Sequence, residues 1–507
     1  MQNLFKKLIY LFIFLSLIST NINASTLNLS ISSSPSRLNP ILANDSASSE
    51  IADWLFNGLF KYDKDGKPTL DLAFSYKFET NTKLIIKLKK NVLWHDNAKF
   101  TSKDVIFTYN TIMDPKVFNS IKSNYKEVKS VKALDDYTIE VIYKKAYFKA
   151  LEIWMVGILP SHLLKDEKNI MTSSFNKNPI GTGPYKIDTF KIGQDIKLFA
   201  NDKYFEGRAK IDEILYKFLP DTNTSFLFLK QKKLDISSLT PLQIDRQISK
   251  DFKKNYQIIE KPSFSYSYLG FNLKNEKFKD KRIREALSLG INRQELVDIL
   301  FFGHGKVSNG PFLPGSFAYN KSVKPITPDI KKAKRLLEEL GYNKSNPFTF
   351  EVITNTGNET RINAAQIMQY QLNKIGVNMK IRVMEWQAYL NTIVHPRNFE
   401  SILLGWSLAL MPDAYPLWHS SNSKLGGFNL VGYENKEVDL LIEKASTTIN
   451  RDELGNIYKD IFKRITNDIP YLFLYIPNAI TVVNKNIKNV KPAFVGITYN
   501  QREWIKE

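Results

Sequence analysis

Apolar positions along this chain recur at two periods, and the changes between those periods predict its elements. Residues 83–89 and 137–143 alternate apolar with polar side chains, which predicts half-buried strands. Thr101, with Asp104 three residues on, precedes Val105-Ile106-Phe107 and predicts a capped helix start. Phe348, Phe350 and Val352 alternate as a strand. Ile362, Ala365, Met368, Leu372 and Ile375 then share one helical face between Asn358 and Ile375. Gly376 stops that helix, and Val377, Met379, Ile381 and Val383 alternate as the next strand, giving a strand-helix-strand unit, normally parallel. Before it, Thr327 is expected to cap a helix with Pro328 at its first position, Gly341 just past its end, and Ile330, Ala333, Leu337 and Leu340 as its buried stripe. The pattern is mixed α/β throughout, with neither repeats nor a Gly/Ser linker.

The first apolar run is of another kind. Leu8 to Ile18 is interrupted only by Ser16, follows Lys6 and Lys7, and leads to Ile22-Asn23-Ala24. That is the layout of a secretory signal peptide, residues 1–24, with cleavage expected between Ala24 and Ser25. Eleven helical residues rise only about 16 Å, roughly half a bilayer core, so a permanent anchor is not expected. Removing the signal leaves 483 of the 507 residues, enough for two or three domains.

Composition narrows the chemistry. With no cysteine there is no disulfide, thiolate nucleophile or Cys-based metal site, and no lipid attachment at the cleavage point. The signal takes two lysines with it, so the full-length charge of +20 becomes +18. These lysines are spread along the chain without a basic-aromatic motif, which argues for a solvated basic surface and against a nucleic-acid partner. No Gly-x-Ser-x-Gly elbow and no His-Glu-x-x-His helix occurs. The five histidines, at 95, 162, 304, 395 and 419, do not pair at helical ligand spacing, and no pair of carboxylates stands out. No cofactor is expected. A cluster late in the chain does stand out: Trp386, Gly405-Trp406-Ser407, Asp413, Tyr415 and Trp418-His419-Ser420. Two readings fit it, pocket walls with a glycine that lets a ligand approach, or interdomain core.

Seven ordered blocks carry a resemblance. They are Leu38-Asn39-Pro40 with 55–59, Val92-Leu93-Trp94-His95-Asp96 with 100–109, Pro179-Ile180-Gly181-Thr182-Gly183-Pro184-Tyr185, 269–272, 282–287, Gly405-Trp406, and Asp468-Ile469-Pro470. In these blocks the chain resembles the periplasmic solute-binding proteins of the oligopeptide, dipeptide and nickel ABC-importer group. The resemblance implies a three-domain periplasmic-binding-protein fold of the large class, whose two lobes close on a ligand by hinge motion. Domain I would comprise 25–59, 178–263 and 472–507, domain II 60–177, and domain III 264–471. It implies a soluble monomeric periplasmic receptor, not an enzyme, that delivers a peptide or other small solute to an inner-membrane ABC permease. A nickel or metallophore receptor is the alternative within the family, and an exported hydrolase the alternative outside it.

By position, Asn44, Asp45 and Ser46 resemble the segment running along the ligand in domain I, and Gly405 and Ser407 the one opposite. Trp386 and Trp406 resemble two tryptophans beside side-chain pockets, and Tyr268 and Tyr475 lie near blocks approaching the ligand. Ala409 departs from the pattern, for well-known members carry there an aspartate that meets a peptide ammonium. A buried ammonium needs such a partner. Asp413 or Asp45 would supply it, or the ligand lacks the amine; Asp413 can equally serve as a helix cap. Leu403 likewise stands where one branch has an arginine able to meet a carboxylate. His95 is expected to be structural.

Overall fold

A computed structural model describes residues 24–507, so the expected signal peptide lies outside the described residues except for Ala24. Three larger sheets organise the chain. In the first, strands 26–31, 213–218, 195–200 and 185–191 lie side by side, with 26–31 parallel to 213–218 and the rest antiparallel. Residues between its outer strands leave to build a second, antiparallel sheet in the order 73–80, 83–88, 138–143, 128–135. The third has eight strands, along the path 236–239, 471–484, 265–271, 401–407, 348–355 and 377–384, with 256–262 and 305–307 added to 471–484.

The strand 471–484 joins this sheet together, for four other strands pair with it. It begins Tyr-Leu-Phe-Leu-Tyr-Ile, buried at every position, as a strand covered on both faces requires. Alternation along 265–271 then separates two cores. Leu269 and Phe271 join Phe278, Ile283, Leu287 and Leu372 on one face. Tyr266 and Tyr268 join Phe473, Trp418 and Ile402 on the other.

The expected elements are found at 83–88, 138–143, 102–113, 348–355, 359–373 and 377–384. Asp104 closes a capping box on Thr101. Strands 348–355 and 377–384 are parallel, and Gly376 takes φ +81° at the turn between helix and strand. One start differs. The helix expected from Thr327 runs Ile330–Glu339, because the Asp329 carboxylate accepts the Lys332 N–H and caps it two residues later. Ala333 and Leu337 are buried there, whereas Ile330 is exposed.

The block 179–185 pins the crossing back from the second sheet to the first. Gly181 N–H donates to His95 Nδ1 at 3.1 Å, and His95 Nε2 lies 3.0 Å from the Gly183 carbonyl. Nδ1 is thus the acceptor and Nε2 carries the proton, a neutral ring held at both nitrogens. Burial drives its pKa from 6.5 down to about 4, against the pull of the Gly183 carbonyl. A methyl on Gly181 would stand 1.8 Å from the Leu55 carbonyl oxygen, so only glycine fits.

Candidate functional site

The strand 401–407 brings the late aromatic cluster together. Ile402, Leu403 and Leu404 are buried in the sheet; Gly405 and Trp406 reach its half-exposed end, and Ser407 is exposed. The Trp406 ring lies parallel to Tyr268 at 6.2 Å and edge-on to Phe428 at 6.2 Å. Tyr268 stacks on Tyr471 at 3.9 Å, and Trp418 leans on Tyr471 at 4.8 Å. The result is a rigid aromatic slab with Trp406 at its rim.

Beside Trp406 is a cavity of ≈ 240 Å³, walled by Ser407, Leu408, Met411, Pro412, Phe312 and Phe428, with Phe494 from the C-terminal segment and Lys149 from beyond the second sheet. It is smaller than the roughly 300–1,000 Å³ of a complete small-molecule site, and is the size of a side-chain subsite. Among its lining residues Asp413 is the one carboxylate and Lys149 the one cation. They pair with each other at 2.6 Å. The other Asp413 oxygen accepts the Tyr415 N–H at 3.0 Å.

Lys149 belongs to a clasp between this region and the second sheet's. Phe148 N–H donates to the Ser446 carbonyl at 3.2 Å, and the buried Glu152 carboxylate pairs with Arg451. Burial raises the Glu152 pKa, with Arg451 opposing.

On the opposite face of strand 401–407, Gly405, Ser267 and Tyr475 form one cross-strand row. Arg361 lies over it. A methyl on Gly405 would come within 3.5 Å of Arg361 Nη2 and of Ser267 Oγ, and within 2.9 Å of the Tyr266 carbonyl oxygen. Arg361 Nη1 donates to Asn355 Oδ1 at 2.9 Å, and among the described residues no carboxylate pairs with this guanidinium. Burial raises the Tyr475 pKa, with Ser267 and the Arg361 charge pulling it back. The Tyr266, Tyr268 and Tyr475 hydroxyls are buried without a hydrogen bond of standard geometry. The row sits at the carboxyl end of strand 348–355 and at the N-terminus of helix 359–373, where open α/β sheets place their ligands.

The other expected residues lie apart from this centre. Asn44 accepts the Ser120 hydroxyl at 2.8 Å and lines a shallow surface cavity with 115–122. Asp45 caps helix 46–55: its carboxylate accepts Ser48 N–H at 2.8 Å, Ser48 Oγ at 2.7 Å and Ser36 Oγ at 2.6 Å. Burial alone would raise its pKa, but these bonds outweigh it and lower it. Ser46 borders a hydroxyl-rich cavity with Ser30, Ser32, Ser237 and Glu50. Trp386 opens a short helix, 38% exposed, with its ring against Tyr389 at 6.2 Å and outside the Trp406 cavity. Among the described residues no three His, Cys, Asp or Glu side chains gather as metal ligands, and no helix is long and apolar enough to cross a membrane.

Arg361 was not singled out by its sequence context, and it carried a signal. A cation in the first turn of a helix opposes the macrodipole, so its presence there asks for another purpose.

Known proteins share this architecture. The chain is 35% identical over 489 residues to the oligopeptide-binding protein AppA of Bacillus subtilis, covering 93% of this chain and 89% of AppA. The solved structure of AppA with a nonapeptide superposes with a TM-score of 0.74 at 33% identity, covering 95% of this chain and 99% of that one. NikZ from Campylobacter jejuni, solved with Ni(L-His), gives 0.76 at 30% identity, covering 96% and 100%. The family descriptor "Bacterial extracellular solute-binding proteins, family 5 Middle" matches residues 67–428, and the chain belongs to that family.

Proposed function

We propose that this protein is a periplasmic receptor that binds a peptide between two lobes and delivers it to an inner-membrane ABC permease. The observation that carries the reading is the end of strand 401–407. Its Gly405 lies between an aromatic-walled subsite on one face and, on the other, an arginine that no carboxylate among the described residues pairs with. Strand ends offer main-chain hydrogen bonds to an extended ligand, and pockets on alternate faces take its side chains. Arg361, with Ser267 and Tyr475 beside it, is the group that meets a ligand carboxylate, the part Leu403 does not play. A charge-assisted pair of this kind is the strong sort of hydrogen bond.

Domain I (25–59, 178–263, 472–507), domain II (60–177) and domain III (264–471) would be the moving bodies. The clasp at Lys149, Phe148 and Glu152 then forms only in the closed state. Export through a cleavable signal, release as a monomer and the absence of catalysis complete the reading. A metal–amino-acid chelate is the second possibility, favoured by the NikZ likeness and by the same arginine, which reads a chelator's carboxylate as readily as a peptide's.

The experiment is mass spectrometry of solute released from the purified protein, followed by calorimetry with peptides of increasing length and with nickel plus histidine. Binding of peptides but not of the chelate supports the first reading. Chelate binding alone replaces it, and turnover of a peptide overturns the receptor reading.

A further inference from the structure

We infer that Lys149 serves as a built-in ammonium for Asp413, so that the receptor accepts cargo whose amino end is uncharged. The inference rests on the peptide reading of the cleft. A cationic amine entering the cavity beside Trp406 must find a counter-charge, since removing it from water unpaired costs far more than the contacts return. Among the lining residues only Asp413 carries negative charge, and that charge is already compensated by Lys149 Nζ at 2.6 Å, with the other oxygen accepting the Tyr415 N–H at 3.0 Å. Asp45, capped onto Ser36 and Ser48 by three hydrogen bonds, does not line this cavity.

Lys149 is not a stray surface lysine. Its ammonium also lies 5.2 Å from the Phe148 ring centroid, and its side chain is only 20% exposed. Its neighbours tie the same segment down through Phe148 N–H to the Ser446 carbonyl and Glu152 to Arg451. Displacing it would strand one ammonium while satisfying another. The ion pair belongs to the closed protein itself, and the cargo is released from providing that charge. A blocked amino end, or an internal stretch of a longer chain, then fits at least as well as a free terminus.

The test compares one peptide with a free and with an acetylated amino end, by calorimetry, on the wild type and on Lys149→Met. The inference expects the acetylated peptide to bind the wild type at least as tightly as the free-amine peptide. On Lys149→Met, where Asp413 is freed, the free amine should gain at least tenfold over the acetylated form, and Lys149→Met/Asp413→Asn should abolish that gain. Weaker binding of the acetylated peptide to the wild type overturns the inference, as does a gain of less than tenfold for the free amine in Lys149→Met. If neither peptide binds the wild type, the peptide reading fails, and the ion pair is then read directly. After reductive ¹³C-methylation of the protein as purified, with its own solute bound, the Lys149 NMR signal should shift on Asp413→Asn; an unmoved signal overturns the inference.

Discussion

His95 offers the clearest thermodynamic handle on the crossing between the first two sheets. Its ring accepts from Gly181 N–H through Nδ1 and donates to the Gly183 carbonyl through Nε2, so protonation removes the acceptor and buries a charge. The unfolded chain takes up this proton below pH 6.5, the folded protein only below about 4. Between those values the unfolded state binds more protons. His95 therefore contributes its full stability above pH 6.5 and loses it as pH falls toward 4. At 1.4 kcal/mol per pH unit across that window, the loss comes to about 3 kcal/mol. Other groups titrate as well, so the measurement is the difference between wild type and His95→Gln in urea unfolding from pH 7.5 to 4. The variant should be less stable at neutral pH, and the gap should shrink by about 3 kcal/mol at the acid end. Ring ¹⁵N shifts should show the neutral Nε2–H tautomer down to about pH 5, an intermediate point between the two cited pKa values. Titration near 6.5, or a gap independent of pH, would refute the pinning role.

Gly181→Ala should lower stability by at least about 3 kcal/mol in the same assay, because its methyl would collide with the Leu55 carbonyl oxygen on rigid backbone. Arg451→Met should favour the open form by about 2–3 kcal/mol, below the 3–5 of a fully buried pair because Arg451 is 32% exposed; a larger radius of gyration by X-ray scattering checks it. Arg361→Met should weaken peptides with a free carboxyl end roughly 10–100-fold and their amides little, the range of a hydrogen bond to a charged group, measured by calorimetry. Trp406→Ala should raise Kd for peptides with a bulky side chain and leave the circular dichroism unchanged, since the ring is at the rim of its slab.

The strand-helix-strand unit at 348–384 was legible because its buried positions keep strict periods and glycine marks the turn. The helix start at Ile330 was misplaced by two residues because Thr327 and Asp329 are both competent caps, and sequence alone does not rank them. Trp406 and Gly405 stood out as aromatic and glycine at a strand end. The state of Asp413 was not legible, for its partner Lys149 is 264 residues away in sequence and meets it only in the folded chain. Tyr268 and Tyr475 were expected near the ligand; burial within the large sheet explains their apolar surroundings, and only cross-strand register puts Tyr475 in one row with Ser267 and Gly405. Arg361 needed tertiary structure too, although its misfit with the helix dipole was visible from the start.

On the proposed reading, a small solute bound at the end of strand 401–407 draws the lobes together. The most direct test is X-ray scattering of the solute-free protein titrated with the solute identified from the purified material. The radius of gyration should decrease, saturating at one equivalent, and the decrease should be lost in an Arg361→Met/Trp406→Ala double variant at the same concentration. Tight binding with no change in size, or an undiminished response from the double variant, would contradict it.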